Sequence, residues 1–300
     1  MSVYSMTGYA TATQDLSGNQ TRAAVRLVVD ARSVNNRFLD LALRLPDDLR
    51  TLEPPLRELV GQALHRGKVE LRVSVTRTEG ATGGQVDGAA LQQVTALQQA
   101  VQRSLPEARP LSVYEILQFT RDPAPALRDD LTVPLRALAQ SVVADLVAAR
   151  QREGGRLRVL LEERIGALRQ LVTQAVPRVP VAVQEQQKRF LTRWNDALSG
   201  IDSEVPASAV QERALAEAAA FALRIDVAEE LERLGAHLAE ITDVLQRGGV
   251  IGKRLDFLIQ ELHREANTLG SKAATLALAR ISVDMKVLIE QMREQVQNIE

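Results

Sequence analysis

The chain contains no cysteine. That excludes disulfides, thiolate metal sites and cysteine nucleophiles together, and leaves oxygen and imidazole as the available ligands. Aromatic residues make up only 3%, so base stacking across a sheet surface, as RRM and OB-fold proteins use it, has little support. Neither charge dominates: 37 Lys and Arg stand against 38 Asp and Glu, for a net charge of -1. This excludes a bulk basic shell, so any polyanion must meet a local patch. No stretch approaches the roughly 20 apolar residues of a membrane span. The opening MSVYSMTGYATAT lacks the basic and apolar regions of a signal peptide. The expectation is a cytoplasmic protein with no membrane partner.

What is present suffices for two lobes, because 300 residues with 45% apolar content exceed what one core usually organises. Up to about residue 80 apolar residues alternate, through Val25, Leu27 and Val29, then Leu39, Leu41, Leu43 and Leu45, then Val69, Leu71, Val73 and Val75. That period of two marks half-buried strands. Residues 47–65 switch to helical spacing through Leu49, Leu52, Leu56, Val60 and Leu64, and RSVNNR reads as a polar turn between strands. After a Gly-rich break at Gly80 to Gly84, a segment through Leu91, Val94, Leu97 and Val101 completes a β-β-β-α-β-α order. By analogy alone, that order is similar to a left-handed crossover fold found in several RNA-handling proteins.

Residues 105–134 carry Pro106, Pro110, Pro123, Pro125 and Pro134, which predicts a connector with one short helix near Tyr114 to Phe119. From Leu135 onward the chain is helix-forming, with interruptions expected at Gly154-Gly155, Pro177 and Pro180, 199–206, and Gly248-Gly249. The fold class is α+β: an N-terminal β-β-β-α-β-α lobe over 1–104, the connector over 105–134, and a long-helix lobe over 135–300. No period of 20 to 50 residues repeats, which argues against a solenoid. Ala-rich segments such as ALAEAAAFAL lack the heptad of a coiled-coil rod.

The densest cluster of reactive side chains is RLDFLIQELHREANTLGSK, residues 254–272. At 100° per residue, Leu255, Leu258, Ile259, Leu262, Ala266, Leu269 and Ala273 form a core face. Arg254, Glu261, Arg264, Glu265, Thr268 and Lys272 gather opposite. Glu261 and Glu265, one turn apart, repel unless a divalent cation or neighbouring cations intervene. The bland alternative is a solvated face in which Glu261 pairs with Arg264 and Glu265 with another basic neighbour; on spacing alone it is favoured.

A second helix, DVAEELERLGAHLAEI, buries Leu231, Leu234, Leu238 and Leu245, while Glu229, Arg233, His237 and Glu240 share a polar face. Asp226 and Glu229 form a start resembling a capping box. His237 stands one turn from Arg and Glu, so it is either a ligand or general base, or an ordinary exposed histidine. Gly248-Gly249 folds the two helices into an antiparallel hairpin within 226–300. GGVIGKR lacks the spacing, final hydroxyl and preceding strand of a phosphate loop, so no nucleotide cofactor is expected. In the N-terminal lobe, Arg32, Asn35, Asn36 and Arg37, with His65, Arg66 and Lys68, suit phosphate contacts, or are simply two polar turns.

With these segments in view, the sequence resembles the YicC/YloC family of bacterial endoribonucleases nearly end to end. The resemblance rests on SMTGYA, RSVNNRFLDLALRLPDDLRTLEPPLRELV, RGKVEL and REGGRL, and most specifically on DVAEELERLGAHL, KRLDFLIQELHREANTLGSK and KVLIEQMREQVQNIE. It implies a divalent-metal-dependent RNA endonuclease working as a ring-like homo-oligomer, a hexamer, with RNA in a central opening. The matching positions Glu229, Glu230, Arg233, His237, Asp256, Glu261, Arg264, Glu265, Asn267 and Lys272 would then surround the scissile phosphate. Glu261 and Glu265, with His237, Asp256 or Glu230, would hold Mn²⁺ or Mg²⁺. Arg233, Arg264 and Lys272 would steady developing negative charge. Arg32, Asn35, Arg37, Arg66, Lys68 and Asn267 would grip RNA by backbone and shape. A non-catalytic RNA clamp that delivers transcripts to another nuclease would use the same basic positions, and a helical scaffold with no nucleic-acid role would show no salt-dependent RNA affinity.

Overall fold

A computed structural model describes residues 2–16, 24–78, 88–120, 128–198, 207–225 and 227–300. The expected glycine break at Gly80 to Gly84, the break at 199–206, Pro123, Pro125 and the capping residue Asp226 lie outside the described residues. The fold is α+β. Its strands are β1 (Gly8–Leu16), β2 (Ala24–Val34), β3 (Leu39–Arg44) and β4 (Gly67–Thr78), in the sheet order β1-β2-β4-β3. A 3-10 turn at Asp47–Leu52 and helix α1 (Glu53–Ala63) connect β3 to β4, and α2 (Gly88–Ser104) follows. The β-β-β-α-β-α order read from the sequence is therefore the observed one. β4 pairs antiparallel with β2 and parallel with β3, and the helical segment between β3 and β4 supplies the crossover that a parallel pair needs.

RSVNNR is not wholly a turn. β2 runs on through Arg32, Ser33 and Val34 because Ser33 and Val34 pair with Val69 and Lys68 of β4. The turn proper is Asn35 to Phe38. Leu27, Val29, Ala31, Val69, Leu71 and Val73 form one buried sheet face, covered by Leu49, Leu56, Val60 and Leu64 and by Leu135, Val142 and Leu146.

The last three residues named belong to α4 (Arg128–Ala175), and they correct the reading of 105–134. Helix α3 (Val113–Thr120) is the short helix expected there, but α4 begins at Arg128 and carries Pro134 inside it. Leu131, Leu135 and Leu138 supply enough buried surface at helical spacing to hold that turn despite the missing N–H. The compact units are Tyr9–Val147, and Met1–Gly8 with Ala148–Glu300. One helical stretch, Leu131–Ala197, contains a window of mean hydropathy 1.4 and so passes for a membrane span on length and composition, where the sequence reading expected none. Its apolar residues supply core: Leu135 and Val142 in one unit, Leu161 and Leu168 in the other.

Gly154-Gly155 does not interrupt α4 either. A Cβ on Gly154 would fall on the Val3 carbonyl, so glycine here serves close approach of the N-terminal segment to the helix, whereas Gly155 faces open space. The same segment is tied down by Arg150, which is fully buried. Its Nε donates to the Ser5 carbonyl at 2.6 Å and its Nη2 to Glu300 Oε2 at 3.0 Å. Burial lowers the Arg150 pKa and the Glu300 carboxylate opposes that shift. Ser5 bridges Ile299, Met6 N donates to the Asn298 carbonyl at 2.7 Å, and Gly249 N donates to the Ser2 carbonyl at 3.1 Å.

The helical unit continues with α5 (Arg178–Leu198), α6 (Ala207–Ile225), α7 (Ala228–Arg247), α8 (Gly252–Lys272) and α9 (Leu276–Val296). α7 ends as expected at Gly248 and Gly249, whose φ values of 63° and 86° suit glycine. α8 begins where Ile251 N and Gly252 N both donate to the Glu300 carbonyl at 2.9 Å.

Two substitutions separate the roles of the paired glycines. Gly154→Ala should lower the thermal midpoint, because backbone at Val3 must move. Gly155→Ala should leave it unchanged or raise it, by up to about 1 kcal/mol of helix propensity. Thermal unfolding followed by circular dichroism compares the two, and equal midpoints would contradict the close-approach account.

Candidate active site

Helices α7 and α8 pack antiparallel because each carries a narrow apolar stripe. Leu231, Leu234, Leu238, Ile241 and Leu245 of α7 meet Leu255, Leu258, Ile259, Leu262, Ala266 and Leu269 of α8 in one buried cluster. Ala273 packs at its margin. Beyond α8, Ser282 of α9 donates to the Ala266 carbonyl at 2.8 Å and sits where a Cβ on Gly270 would go, which fixes α9 closely against α8.

Along one border of that stripe the side chains form four polar rungs. Lys272 Nζ meets Glu230 Oε1 at 2.8 Å. Arg233 Nη1 lies 3.6 Å from Glu265 Oε1. His237 stands with Glu261 and Glu265, one ligand atom of each within 4.8 Å of the others. Arg254 Nε donates to Glu240 Oε1 at 3.0 Å, with its guanidinium 5.4 Å from the Phe257 ring centroid.

Glu265 differs from the sequence reading. Helical spacing put it on a solvated face, but the side chain is buried, about 20° from Leu258 around the helix axis. Glu230 is also buried, and its Oε2 has no hydrogen-bond partner. A carboxylate shielded from water in this way is costly unless a cation compensates it. Lys272 compensates Glu230, and Arg233 reaches Glu265 while also pairing with Glu229. The Arg233 pKa is raised chiefly by Glu229, then by Glu265, against desolvation. Arg264 Nη1 lies 3.7 Å from Glu261 Oε2, so the ion pairs of the bland alternative exist alongside the His237, Glu261 and Glu265 group.

The structure leaves Asp256 outside this group: its Oδ2 accepts from Gln260 Nε2 at 2.8 Å, on a different side of α8. Asn267 is exposed and hydrogen-bonds His263 Nδ1 at 3.0 Å. In the sheet unit the register Val34 to Lys68 and Leu39 to Gly67 brings Arg32, Asn35, Arg37, Arg66 and Lys68 to one end of the sheet. Arg66 Nε donates to the Arg37 carbonyl at 3.2 Å and thereby ties the two turns together.

Donors bound to one small divalent cation lie about 2.0–2.2 Å from it, so a trio spread within 4.8 Å would need only rotamer adjustment to close on an ion. Two carboxylates and one imidazole with flanking guanidinium groups make up a class of site that could hold a divalent cation.

Comparison with known proteins bears on that class. The model for the C-terminal region of YicC-like endoribonucleases matches residues 175–300, and that for their N-terminal region matches residues 3–159. A "Probable endoribonuclease YicC" of Haemophilus influenzae is 36% identical over 279 residues, covering 91% of this chain and 93% of the relative. One of the same name from Clostridioides difficile is 25% identical over 279 residues, with the same coverage of both chains. The chain belongs to the YicC-like endoribonuclease family.

The Lys272–Glu230 pair gives the prediction for this site. Lys272→Met should destabilise the fold by about 1–3 kcal/mol, because it leaves a buried carboxylate unpaired. Adding Glu230→Gln should recover part of the loss, and denaturant unfolding of both variants measures it. A single variant as stable as the parent would show that the pair is solvated.

Proposed function

We propose that this protein cleaves RNA internally, in single-stranded or hairpin substrates, with a divalent cation held by Glu261, Glu265 and His237. The observation that carries the reading is the three-donor group across the α7/α8 seam, flanked by Arg233 and Arg264. The ion's contribution when bound is to neutralise phosphate charge and to acidify a water. Imidazole beside two carboxylates suits Mn²⁺ better than Mg²⁺, which prefers an all-oxygen shell and gives up its water reluctantly.

The protein groups have separable tasks. Glu265, buried and braced by Arg233, offers a fixed oxygen, and half-buried Glu261 offers one that can still reach a substrate. Arg233 and Arg264 present guanidinium donors to non-bridging phosphate oxygens and stabilise the charge that grows there during cleavage. Lys272 extends that positive lining, with Glu230 holding its ammonium in place. Glu230 acts through Lys272, and Asp256 through the surface of α8. Asn267 and the sheet-end residues Arg32, Asn35, Arg37, Arg66 and Lys68 grip the RNA backbone.

A near-neutral chain gains a focused positive potential if several copies assemble around one opening, so the reading includes a homo-oligomer, a hexamer, acting on RNA in the cytoplasm as part of RNA turnover. The clamp reading differs at one point, since a clamp binds without cutting.

The test is incubation of purified protein with a hairpin RNA, with Mn²⁺, with Mg²⁺ and with EDTA. Internal cuts should appear with Mn²⁺, more weakly with Mg²⁺, and vanish in EDTA. Glu261→Gln and Glu265→Gln should each cut at least roughly 100-fold more slowly while still binding RNA, in line with removal of a group that acts in the transition state. Folded variants cutting at the parental rate would overturn the assignment, and binding without cuts in the parent would favour the clamp.

A further inference from the structure

Phe38 is an unusual residue to find at a strand connection. The β2–β3 turn, Asn35 to Phe38, favours polar residues, yet it ends on an aromatic ring that is 68% exposed in a chain with few aromatics. The Arg37 guanidinium lies 5.3 Å from the ring centroid, and Asn36 Oδ1 fixes the preceding backbone by accepting from Arg37 N at 2.8 Å. The turn is further held by the Arg66 bond to the Arg37 carbonyl. The ring is thus presented on a braced loop, with most of its surface uncovered.

Its surroundings are cationic where the chain as a whole is not. Arg32 and Lys68 are exposed on neighbouring strands, and His65 is exposed at the adjoining turn. The nearby acid Glu70 is engaged by Arg44 at 2.6 Å, which leaves Asp40 as the local counter-charge. An exposed ring among cations matches the chemistry of an unpaired nucleotide, whose base has an apolar face and whose phosphate is anionic. A paired helix does not offer it the same contact, because its bases are already stacked.

We propose that the β2–β3 turn is a stacking site for an unpaired RNA base, with Phe38 as the platform and Arg37, Arg66 and Lys68 contacting the adjoining phosphates. The proposal rests on the RNA reading above and narrows it, since recognition then includes a base and not only the backbone. It also qualifies the inference from low aromatic content: one aromatic at the end of the sheet suffices where a whole stacking surface is absent.

The test uses the full chain in EDTA, with fluorescence anisotropy on a short unstructured RNA and on a blunt RNA duplex of equal length. Phe38→Leu should weaken binding of the unstructured RNA by roughly 5- to 100-fold, the range expected from loss of one base stack, and leave duplex binding unchanged. Phe38→Trp should bind as the parent does, and its added emission should be quenched by the unstructured RNA above the background of the single native tryptophan. Phe38→Leu binding unstructured RNA like the parent, or losing both RNAs equally, would overturn the stacking site while leaving the RNA reading intact. A parent that binds neither RNA would remove both.

Discussion

Two carboxylates buried at the border of a helix–helix seam set the terms for this site. Glu230 and Glu265 sit beside leucines, where an uncompensated charge costs several kcal/mol, so the helices must bring cations to them. Lys272 and Arg233 do so across the seam, and that requirement fixes the register of α7 against α8. Once that register holds, His237 is necessarily opposite Glu261 and Glu265. The donor group is therefore a consequence of how the seam is neutralised.

The rest of the helical unit supports that seam from its ends. The backbone of residues 2–6 lies between Arg150 on α4 and the C-terminal residues 298–300, and the Glu300 carbonyl accepts the first amides of α8. Gly154 and Gly252 permit these approaches, because a side chain on either would collide with backbone. Ser282 and Gly270 do the same between α8 and α9. The GGVIG stretch thus caps α7 and α8 and receives the backbone of residues 2 and 300.

Much of this was legible in the sequence. Alternation gave the strands, helical spacing gave the buried stripes of α7 and α8, and Gly248-Gly249 marked the hairpin. Spacing alone does not separate position at a stripe's border: Glu265 lies on the polar side by residue type and on the buried side by packing, and Glu230 is buried in the same way. Proline and glycine misled in α4, since Pro134 and Gly154-Gly155 are breakers by propensity and are tolerated where tertiary packing outweighs it. Asp256 shows the converse, a carboxylate near the others in sequence that the helix turns away from them.

The proposed cleavage of RNA rests on a divalent cation bound jointly by Glu261, Glu265 and His237. Anomalous diffraction from crystals grown with Mn²⁺ addresses it directly. The expected result is a peak about 2.0–2.3 Å from a carboxylate oxygen of both glutamates and a ring nitrogen of His237. A Mn²⁺ peak elsewhere on the chain, with Glu265 and Glu261 still paired only to Arg233 and Arg264, would contradict it.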